Sequence, residues 1–237
     1  MTRIALHGAG RMAAAIMRAA AQETDLEICA VVSPRPPKWQ ETVLYLPDLQ
    51  RLKEPLDVLV DFSLPDGTAV AADWCLNSGV ALLSGVTGLH QNALDSLESA
   101  ARKVPVLWSP SMSLGINLLA QLCAQAAAIL HPDAAITIED IHHQWKKDAP
   151  SGTALMLGAE MVRARGENHG SLEYTSVREG EAIGHHKVTF SLPGEQMVLS
   201  HEAHDRGIFA KGAIDAAKWL GRQAPGRYTA RDWLMRR

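Results

Sequence analysis

The stretch that decides the fold is IALHGAGRMAAAIMRAAA, residues 4–21. A short apolar run leads into Gly8 and Gly10, and Ala13 takes the third small position of a G-x-G-x-x-A spacing that opens a helical pattern. Small residues at such a turn let the backbone approach a pyrophosphate, while the helix N-terminus supplies oriented N–H groups. We therefore predict a strand-turn-helix unit that binds a dinucleotide; the alternative is a tight turn that binds nothing.

The surrounding pattern extends this unit into an α/β domain. From Arg3 to about Pro110, short apolar runs alternate with helical patterns, which predicts a Rossmann-like parallel sheet buried on both faces. A proline-rich stretch that begins at Ser33 is expected to be a loop after the second strand. Beyond Gly115, two helices and four strand-like runs indicate an α+β domain with an antiparallel or mixed sheet. A last helix, from Ile208, could pack back on the first domain.

Composition narrows the class of protein. The chain has 237 residues, is 47% hydrophobic, and carries 23 Lys and Arg against 26 Asp and Glu. It can therefore bury a substantial core, and it has no basic field for nucleic acid or an anionic membrane, so small molecules are the expected partners. The three cysteines suggest no disulfide framework, and no signal peptide or apolar run of about 18 residues is found, so we expect a cytoplasmic protein.

The end of the second strand bears on the choice of dinucleotide. It reads VVSPRPP and lacks the carboxylate that would hold a ribose 2′-hydroxyl. Ser33 and Arg35, with Arg11, could instead bind the 2′-phosphate of NADP. The alternative is that Arg35 is a solvated loop residue. The loop SGVTGL, residues 84–89, could offer backbone groups and a hydroxyl to the nicotinamide or ribose, or could be a plain connection.

A second motif, HHQWKKDAPSGTA at residues 142–154, combines two histidines and two lysines with the start of a helix. Asp148, Pro150 and Ser151 lie where the N-cap and first turn of that helix should begin, and the free N–H groups of Gly152 and Thr153 would then face an anion. An imidazole with a near-neutral pKa, an ammonium group and a helix N-terminus can together anchor a carboxylate and deliver a proton. The alternatives are a solvated loop with ordinary helix caps, or a zinc site, which adjacent histidines without a further ligand do not favour.

Taken together, the motifs resemble those of bacterial dihydrodipicolinate reductases, also called 4-hydroxy-tetrahydrodipicolinate reductases, of the lysine and diaminopimelate pathway. The resemblance covers nearly the whole chain and rests on GAGRM, VDFSLPDGT, SGVTGL, SPSMSLGIN, HHQWKKDAPSGTAL, VREGEAIGHHKVTF and LSHEAHDRGIFAKGAIDAAKWL, in the family's order. It implies a dinucleotide-binding domain of residues 1–112 and 206–237, completed by the C-terminal helix. It also implies a substrate-binding and tetramerisation domain of residues 113–205.

The resemblance also assigns roles. His142 is the implied proton donor, assisted by Lys146, in the NAD(P)H-dependent reduction of 4-hydroxy-tetrahydrodipicolinate, through dihydrodipicolinate, to tetrahydrodipicolinate. His143, Gly152 and Thr153 are the implied ligands of the substrate's carboxylates, and no metal is implied. The implied cofactor contacts are Gly8, Gly10, Arg11, Met12, Gly85, Val86, Thr87, Ser109, Pro110, Ser111 and Met112.

The chain departs from the family pattern in its cofactor motifs. The first glycine loop is one residue shorter than usual, Ser111 replaces the usual Asn, and Ser33 stands where many relatives have an acidic residue. The choice between NADPH and NADH stays open, with NADPH favoured. Two other functions are compatible with the plan of the chain: an amino-acid dehydrogenase acting on a linear acid, and a non-catalytic protein that senses NAD(P).

Overall fold

The computed structural model describes residues 1–39, 43–131, 133–166 and 172–235. It divides into two compact units, of which unit 1 comprises Met1–Ser113 with Gly207–Arg237 and unit 2 comprises Leu114–Arg206. Within the described ranges, no helix has both the length and the apolar character needed to cross a bilayer.

The elements follow one another in this order: β1 Thr2–His7, α1 Arg11–Ala20, β2 Leu26–Val32, β3 Leu44–Leu46, a 3-10 turn Leu49–Arg51, β4 Val58–Asp61, α2 Pro65–Ser78, β5 Ala81–Ser84, α3 Gln91–Ala101, β6 Pro105–Trp108, α4 Leu114–Ile129, β7 Ala135–His142, α5 Gly152–Arg165, β8 Leu172–Arg178, β9 Gly184–Leu192, β10 Glu195–Ala203, α6 Gly207–Leu220, β11 Gly226–Tyr228 and α7 Ala230–Met235.

Unit 1 is built on a seven-stranded sheet in the order β11-β6-β5-β4-β1-β2-β3, with parallel pairing throughout. The central strands are apolar and buried, as expected for a sheet packed on both faces. His7 pairs with Asp61, and Asp61 pairs with Ser84. Because these residues end their strands, the loops that follow β1, β4 and β5 leave the sheet side by side. The predicted Rossmann-like parallel sheet is confirmed.

Two short edge strands of unit 1 were not predicted. The proline-rich stretch after β2 contains β3, whose residues Leu44–Leu46 pair with Ala30–Val32. At the other edge, β11 pairs with β6. The prediction of an uninterrupted loop after the second strand is therefore wrong for the part that contains β3, while residues 40–42 lie outside the described ranges.

The last long helix, α6, belongs to unit 1. At Gly212 a Cβ atom would lie 1.7 Å from the carbonyl oxygen of Met112. Only glycine therefore allows α6 to approach the segment that follows β6. The helix packs there against the backbone of residues that were predicted to touch the cofactor.

Unit 2 contains a four-stranded sheet in the order β10-β9-β7-β8, with one parallel pair, β7 and β8, and two antiparallel pairs. This is the predicted mixed sheet. Alternate side chains of β7 and β9 form a buried cluster with apolar residues of α4 and α5; those from the strands are Ile136, Ile138, Val188 and Phe190. Further along the same face, alternation brings Asp140, His142 and His186 inside, and all three are buried.

Candidate active site

The glycine turn of unit 1 has the shape of a pyrophosphate cradle. Gly8 has a φ of +103°, and a Cβ there would lie 2.6 Å from the carbonyl oxygen of Phe62, so the position requires glycine. A Cβ at Gly10 would meet nothing within 4 Å. Gly10 is the N-cap of α1, and no side chain caps this helix. An open approach to uncapped N–H groups fits the diphosphate of a dinucleotide.

The loop after β5 is equally tight. A Cβ at Gly85 would lie 2.2 Å from the Phe62 ring. The Val86 side chain is buried, and its carbonyl accepts a hydrogen bond from the Trp108 indole at 2.8 Å. Thr87, by contrast, is exposed. Of the three residues predicted to touch the cofactor here, Thr87 presents an exposed side chain, whereas the Gly85 N–H already donates to the Asp61 carbonyl at 2.9 Å and the Val86 carbonyl is bonded to Trp108.

The segment after β6 is self-bonded. The Ser109 hydroxyl donates to the Ser111 carbonyl at 2.7 Å, and the side chains of Ser111 and Met112 are buried. Pro110, between Ser109 and Ser111, is partly exposed. Since β1, β5 and β6 run parallel, this segment leaves the sheet at the same edge as the glycine turn and residues 85–87. The structure thus brings three predicted cofactor segments to one edge of unit 1.

The loop after β2 reaches the glycine turn through a residue that the sequence analysis missed. The Trp39 indole donates to the Ala9 carbonyl at 3.1 Å. At the start of this loop, the Ser33 carbonyl accepts from the Tyr45 hydroxyl at 2.9 Å. Arg35 lies between these anchors and is exposed. An indole is hard to assign from a single sequence because its partner is a backbone carbonyl 30 residues away.

Asp61 was also missed, although it joins the strand ends of unit 1. Its buried carboxylate lies 3.1 Å from His7 Nδ1. It also accepts from the hydroxyl groups of Ser63, Thr68 and Ser84, at 2.6, 2.8 and 3.0 Å. Burial opposes ionisation of Asp61, but these hydrogen bonds lower its pKa. The carboxylate therefore ties together the starts of the loops after β1, β4 and β5.

In unit 2, the strand register assembles a polar cluster around His142. Its Nδ1 atom lies 2.9 Å from Asp140 Oδ2. On β8, Ser176 stands opposite Asp140 and donates to its carboxylate at 2.6 Å, while Arg178 stands opposite His142 and lies 2.9 Å from the same carboxylate. On β9, His186 stands opposite Asp140, and its ring packs edge-on against His142 with centroids 5.1 Å apart.

The predicted helix start is adjacent to this cluster. Ser151 is the N-cap of α5; its hydroxyl oxygen accepts from the Ala154 N–H at 3.1 Å and lies 3.3 Å from His186 Nε2. Lys146 lies 2.8 Å from the Asp148 carboxylate. Burial opposes ionisation of Asp148, but Lys146 and the Gly152 N–H lower its pKa. That N–H, a predicted substrate contact, contacts the Asp148 carboxylate in this structure.

His143 leaves the strand on the other side of the backbone. Its N–H donates to the Ala182 carbonyl at 2.8 Å, and its ring lies 5.8 Å from that of Trp145, which is 64% exposed. Thr153, in the first turn of α5, is partly exposed. Among the described residues, no group of three or more His, Cys, Asp or Glu side chains is arranged to hold a metal ion.

The electrostatics of His142 differ from the expectation. Burial, reinforced by the positive charge of Lys146, lowers the pKa of His142 to about 4 against the opposing effect of Asp140. Burial likewise lowers the pKa of His186 to about 3. The expected near-neutral pKa is therefore wrong for the free chain, in which both rings are uncharged at pH 7. The site can bind an anion, and an anion would favour protonation of His142.

Family models described as Dihydrodipicolinate reductase, N-terminus, and Dihydrodipicolinate reductase, C-terminus, match residues 2–112 and 115–234. The 4-hydroxy-tetrahydrodipicolinate reductase of Stenotrophomonas maltophilia (strain K279a) is 41% identical over 98% of this chain and 97% of that protein. The same-named protein of Xanthomonas campestris pv. campestris (strain B100) is 38% identical over 98% of each.

Among solved structures, a dipicolinate-bound dihydrodipicolinate reductase from Paenisporosarcina sp. TG-14 shares the fold, with a TM-score of 0.81 and 22% identity over 97% of each chain. The sequence matches favour the reductase over an amino-acid dehydrogenase or a non-catalytic sensor. The chain therefore belongs to the dihydrodipicolinate reductase family and is an oxidoreductase that uses a nicotinamide dinucleotide.

Proposed function

We propose that this chain reduces dihydrodipicolinate, formed from 4-hydroxy-tetrahydrodipicolinate, to tetrahydrodipicolinate, with His142 as the proton donor. The reductase activity follows from the family, and the role of His142 follows from its surroundings. The role of His142 rests on the bond between its Nδ1 atom and the buried Asp140 carboxylate, at 2.9 Å. Lys146 and the N-terminus of α5 lie beside this bond. This arrangement orients one imidazole where a carboxylated ring can be held.

The substrate's negative charge drives the protonation that the mechanism needs. His143, the Gly152 and Thr153 N–H groups and the Lys146 ammonium are the proposed ligands of its two carboxylates. A dianion beside His142 offsets the charge of Lys146 and raises the pKa of the imidazole. His142 then takes up a proton at Nε2 and donates it to the ring as electron density builds there. General acid catalysis of this kind contributes about 10²–10⁴-fold to the rate.

The proton from His142 would supply one of the two hydrogens added, and a reduced nicotinamide dinucleotide, when bound, would supply the other as a hydride with two electrons. Gly8, Gly10, Arg11 and Met12 would hold its diphosphate, and the loops at residues 85–87 and 109–112 would contact the remainder. We assign NADPH as the preferred form. Arg35 is exposed between the two anchors of the loop after β2, so its guanidinium is accessible to a 2′-phosphate, with Ser33 as a second donor.

The main test measures turnover with the substrate generated by an excess of the preceding synthase. His142→Gln should lower kcat about 10²–10⁴-fold and Lys146→Ala should also lower it strongly, each with little change in NADPH affinity. The matched controls are His131→Gln and Lys103→Ala, at exposed positions. Near-normal kcat in both test variants would refute the proposed roles.

The dinucleotide preference has its own test. Arg35→Ala should lower the ratio of kcat/KM with NADPH to that with NADH by about tenfold, which corresponds to the loss of one charged contact of about 1.4 kcal/mol. Arg102→Ala changes an exposed residue just before β6, at the end of the sheet where the strands begin, and should leave the ratio unchanged. An equal ratio in wild type and Arg35→Ala would show that Arg35 does not bind the 2′-phosphate.

We further propose a homotetramer in the cytoplasm. In the described part of unit 2, α4 and α5 contribute to the core on one sheet face, while the other face carries Val198 at 49% exposure and the Glu139–Lys187 pair. The tetramer is proposed from the family resemblance, and this exposed sheet face is the proposed contact surface. Cys29, Cys75 and Cys123 are free thiols, as is usual in a reducing compartment. Sedimentation velocity tests the assembly, and a monomer at assay concentration would contradict it.

A further inference from the structure

Asp140 is buried within the His142 cluster, and three side chains contact its carboxylate. Its Oδ2 atom lies 2.9 Å from both His142 Nδ1 and Arg178 Nη1, and its Oδ1 atom accepts from the Ser176 hydroxyl at 2.6 Å. Two of these partners belong to β8, so the carboxylate is held from the neighbouring strand. Its orientation does not depend on His142.

This geometry decides which nitrogen of His142 carries the proton. An ionised carboxylate can only accept hydrogen bonds, so Nδ1 must be the N–H of the neutral ring. Nε2 is then left with a lone pair. A Cβ at Gly184 would lie 3.2 Å from Nε2 and 3.6 Å from the His186 ring, so the absence of a side chain leaves space beside that atom.

The same carboxylate is connected to the loop that carries Lys146. Arg178, which pairs with Asp140, also donates from Nη2 to the Asp148 carbonyl at 2.6 Å. Asp148 in turn pairs with Lys146. A single cross-strand arginine therefore links the orientation of His142 to the position of the ammonium group.

We propose that Asp140 is a positioning residue for the reduction: it fixes His142 in the Nδ1–H form, so that Nε2 faces the substrate, and it balances the charge of the ring once Nε2 is protonated. The inference rests on the proposed role of His142. The groups facing His142 are Asp140 on β7, Arg178 on β8, His186 on β9 and Lys146 in the following loop. Burial, Lys146 and Arg178 disfavour the charged ring, and Asp140 favours it.

The kinetic test compares Asp140→Asn with Asp133→Asn, which makes the same substitution at an exposed position just before β7. Asp140→Asn should lower kcat about 10–100-fold, in line with the loss of a group that orients a functional histidine, with unchanged affinity for NADPH. The high-pH limb of the kcat profile should move to lower pH by about one unit or more, because an opposite charge no longer favours the imidazolium. Asp133→Asn should leave both quantities unchanged.

Two further measurements separate positioning from a merely structural role. Adding Asp140→Asn to His142→Gln should cost little more than His142→Gln alone, because Asp140 acts through that ring. Long-range ¹H–¹⁵N spectra of the wild-type protein should show His142 as the Nδ1–H tautomer, a result that needs no variant to fold. An Nε2–H tautomer in the wild type would overturn the proposal.

Failure of this inference is distinguishable from failure of the proposed function. If His142→Gln retains turnover, the role of His142 is wrong and Asp140 has nothing to position. If His142→Gln loses turnover while Asp140→Asn keeps both its kcat and its pH profile, only the role of Asp140 is wrong.

Discussion

Each unit buries one aspartate near the end of a central strand, and each carboxylate lies against Nδ1 of a histidine. The distances are 3.1 Å for Asp61 and His7 and 2.9 Å for Asp140 and His142, and both aspartates are fully buried. Their other donors differ. Asp61 is surrounded by the hydroxyl groups of Ser63, Thr68 and Ser84, whereas Asp140 has one hydroxyl and the guanidinium of Arg178.

This difference in donors corresponds to a difference in task. Asp61 is held by His7 and by uncharged donors, and the groups that these donors join are the starts of three loops at the proposed cofactor site of unit 1. Arg178 neutralises Asp140 and disfavours a charged His142, so in the proposed mechanism the ring becomes protonated only when the negative charge of the substrate is added. The first aspartate is suited to fixing backbone positions, and the second is suited to a site where a proton moves.

The largest effect on stability should come from removing Arg178, the cation that pairs with Asp140 in unit 2. Arg178→Met leaves the buried Asp140 charge without its counter-ion and should lower the free energy of unfolding by about 3–5 kcal/mol. Thr68→Val removes one uncharged donor from Asp61 and should cost about 1–3 kcal/mol. Urea unfolding at pH 7.5 gives both values.

The exposed Arg163→Met, on α5, controls for the loss of an arginine and should cost less than about 1 kcal/mol. The contrast between the two aspartates is wrong if Arg178→Met destabilises the protein no more than Thr68→Val does.

A second prediction concerns the glycine turn that follows His7. Gly8→Ala forces a side chain into a φ of +103° and within 2.6 Å of the Phe62 carbonyl, so it should lower the free energy of unfolding by about 1–3 kcal/mol or more. Gly10→Ala, where the added Cβ meets open space, should change stability by less than about 1 kcal/mol.

Comparison of Gly8→Ala with Gly10→Ala separates an effect on folding from an effect on dinucleotide binding. Gly10→Ala should still weaken NADPH binding about tenfold, or ~1.4 kcal/mol, because the methyl group occupies the proposed approach of the diphosphate. Calorimetric titration measures this affinity. Wild-type affinity for NADPH in a folded Gly10→Ala protein would show that the diphosphate does not bind at this turn.

Much of the fold was predictable because its signals are local. The small residues from Gly8 to Ala13 and the alternation of apolar runs with helical patterns indicate parallel strands and helices before any contact is known. The three-residue strand Leu44–Leu46 escapes this reasoning, because it lies in a proline-rich stretch and is defined by its pairing with Ala30–Val32. The same holds for Gly226–Tyr228, which pairs with β6.

The motifs of the candidate site were visible in the sequence, whereas the residues that surround them were less so. The alternation that separates His142 from His143 also puts Asp140 on the same face as His142, so this signal was present in the sequence. His186 needed the strand register between β7 and β9, which the sequence does not reveal. The pKa of His142 depends on burial and on Lys146, and both arise from the folded chain.

The smallest predicted effect is the acid sensitivity of the buried histidine pair. His186 has a folded pKa of about 3, below its ordinary value of 6.5. Between these values the unfolded chain binds a proton that the folded chain does not, so stability falls as the pH falls, by up to about 1.4 kcal/mol per pH unit for each such group. His142, with a pKa of about 4, acts in the same direction.

His186→Gln should therefore reduce the loss of stability between pH 6.5 and 5.5 by about 1 kcal/mol, measured by urea unfolding at both pH values. His131→Gln removes an exposed histidine of the same unit and should leave the loss unchanged. An unaltered slope in His186→Gln would mean that this ring takes up a proton in the folded chain as readily as in the unfolded chain. The prediction that His142 and His186 are both uncharged beside Asp140 would then be wrong. In mild acid, His142 would face a positively charged His186 in place of a neutral neighbour.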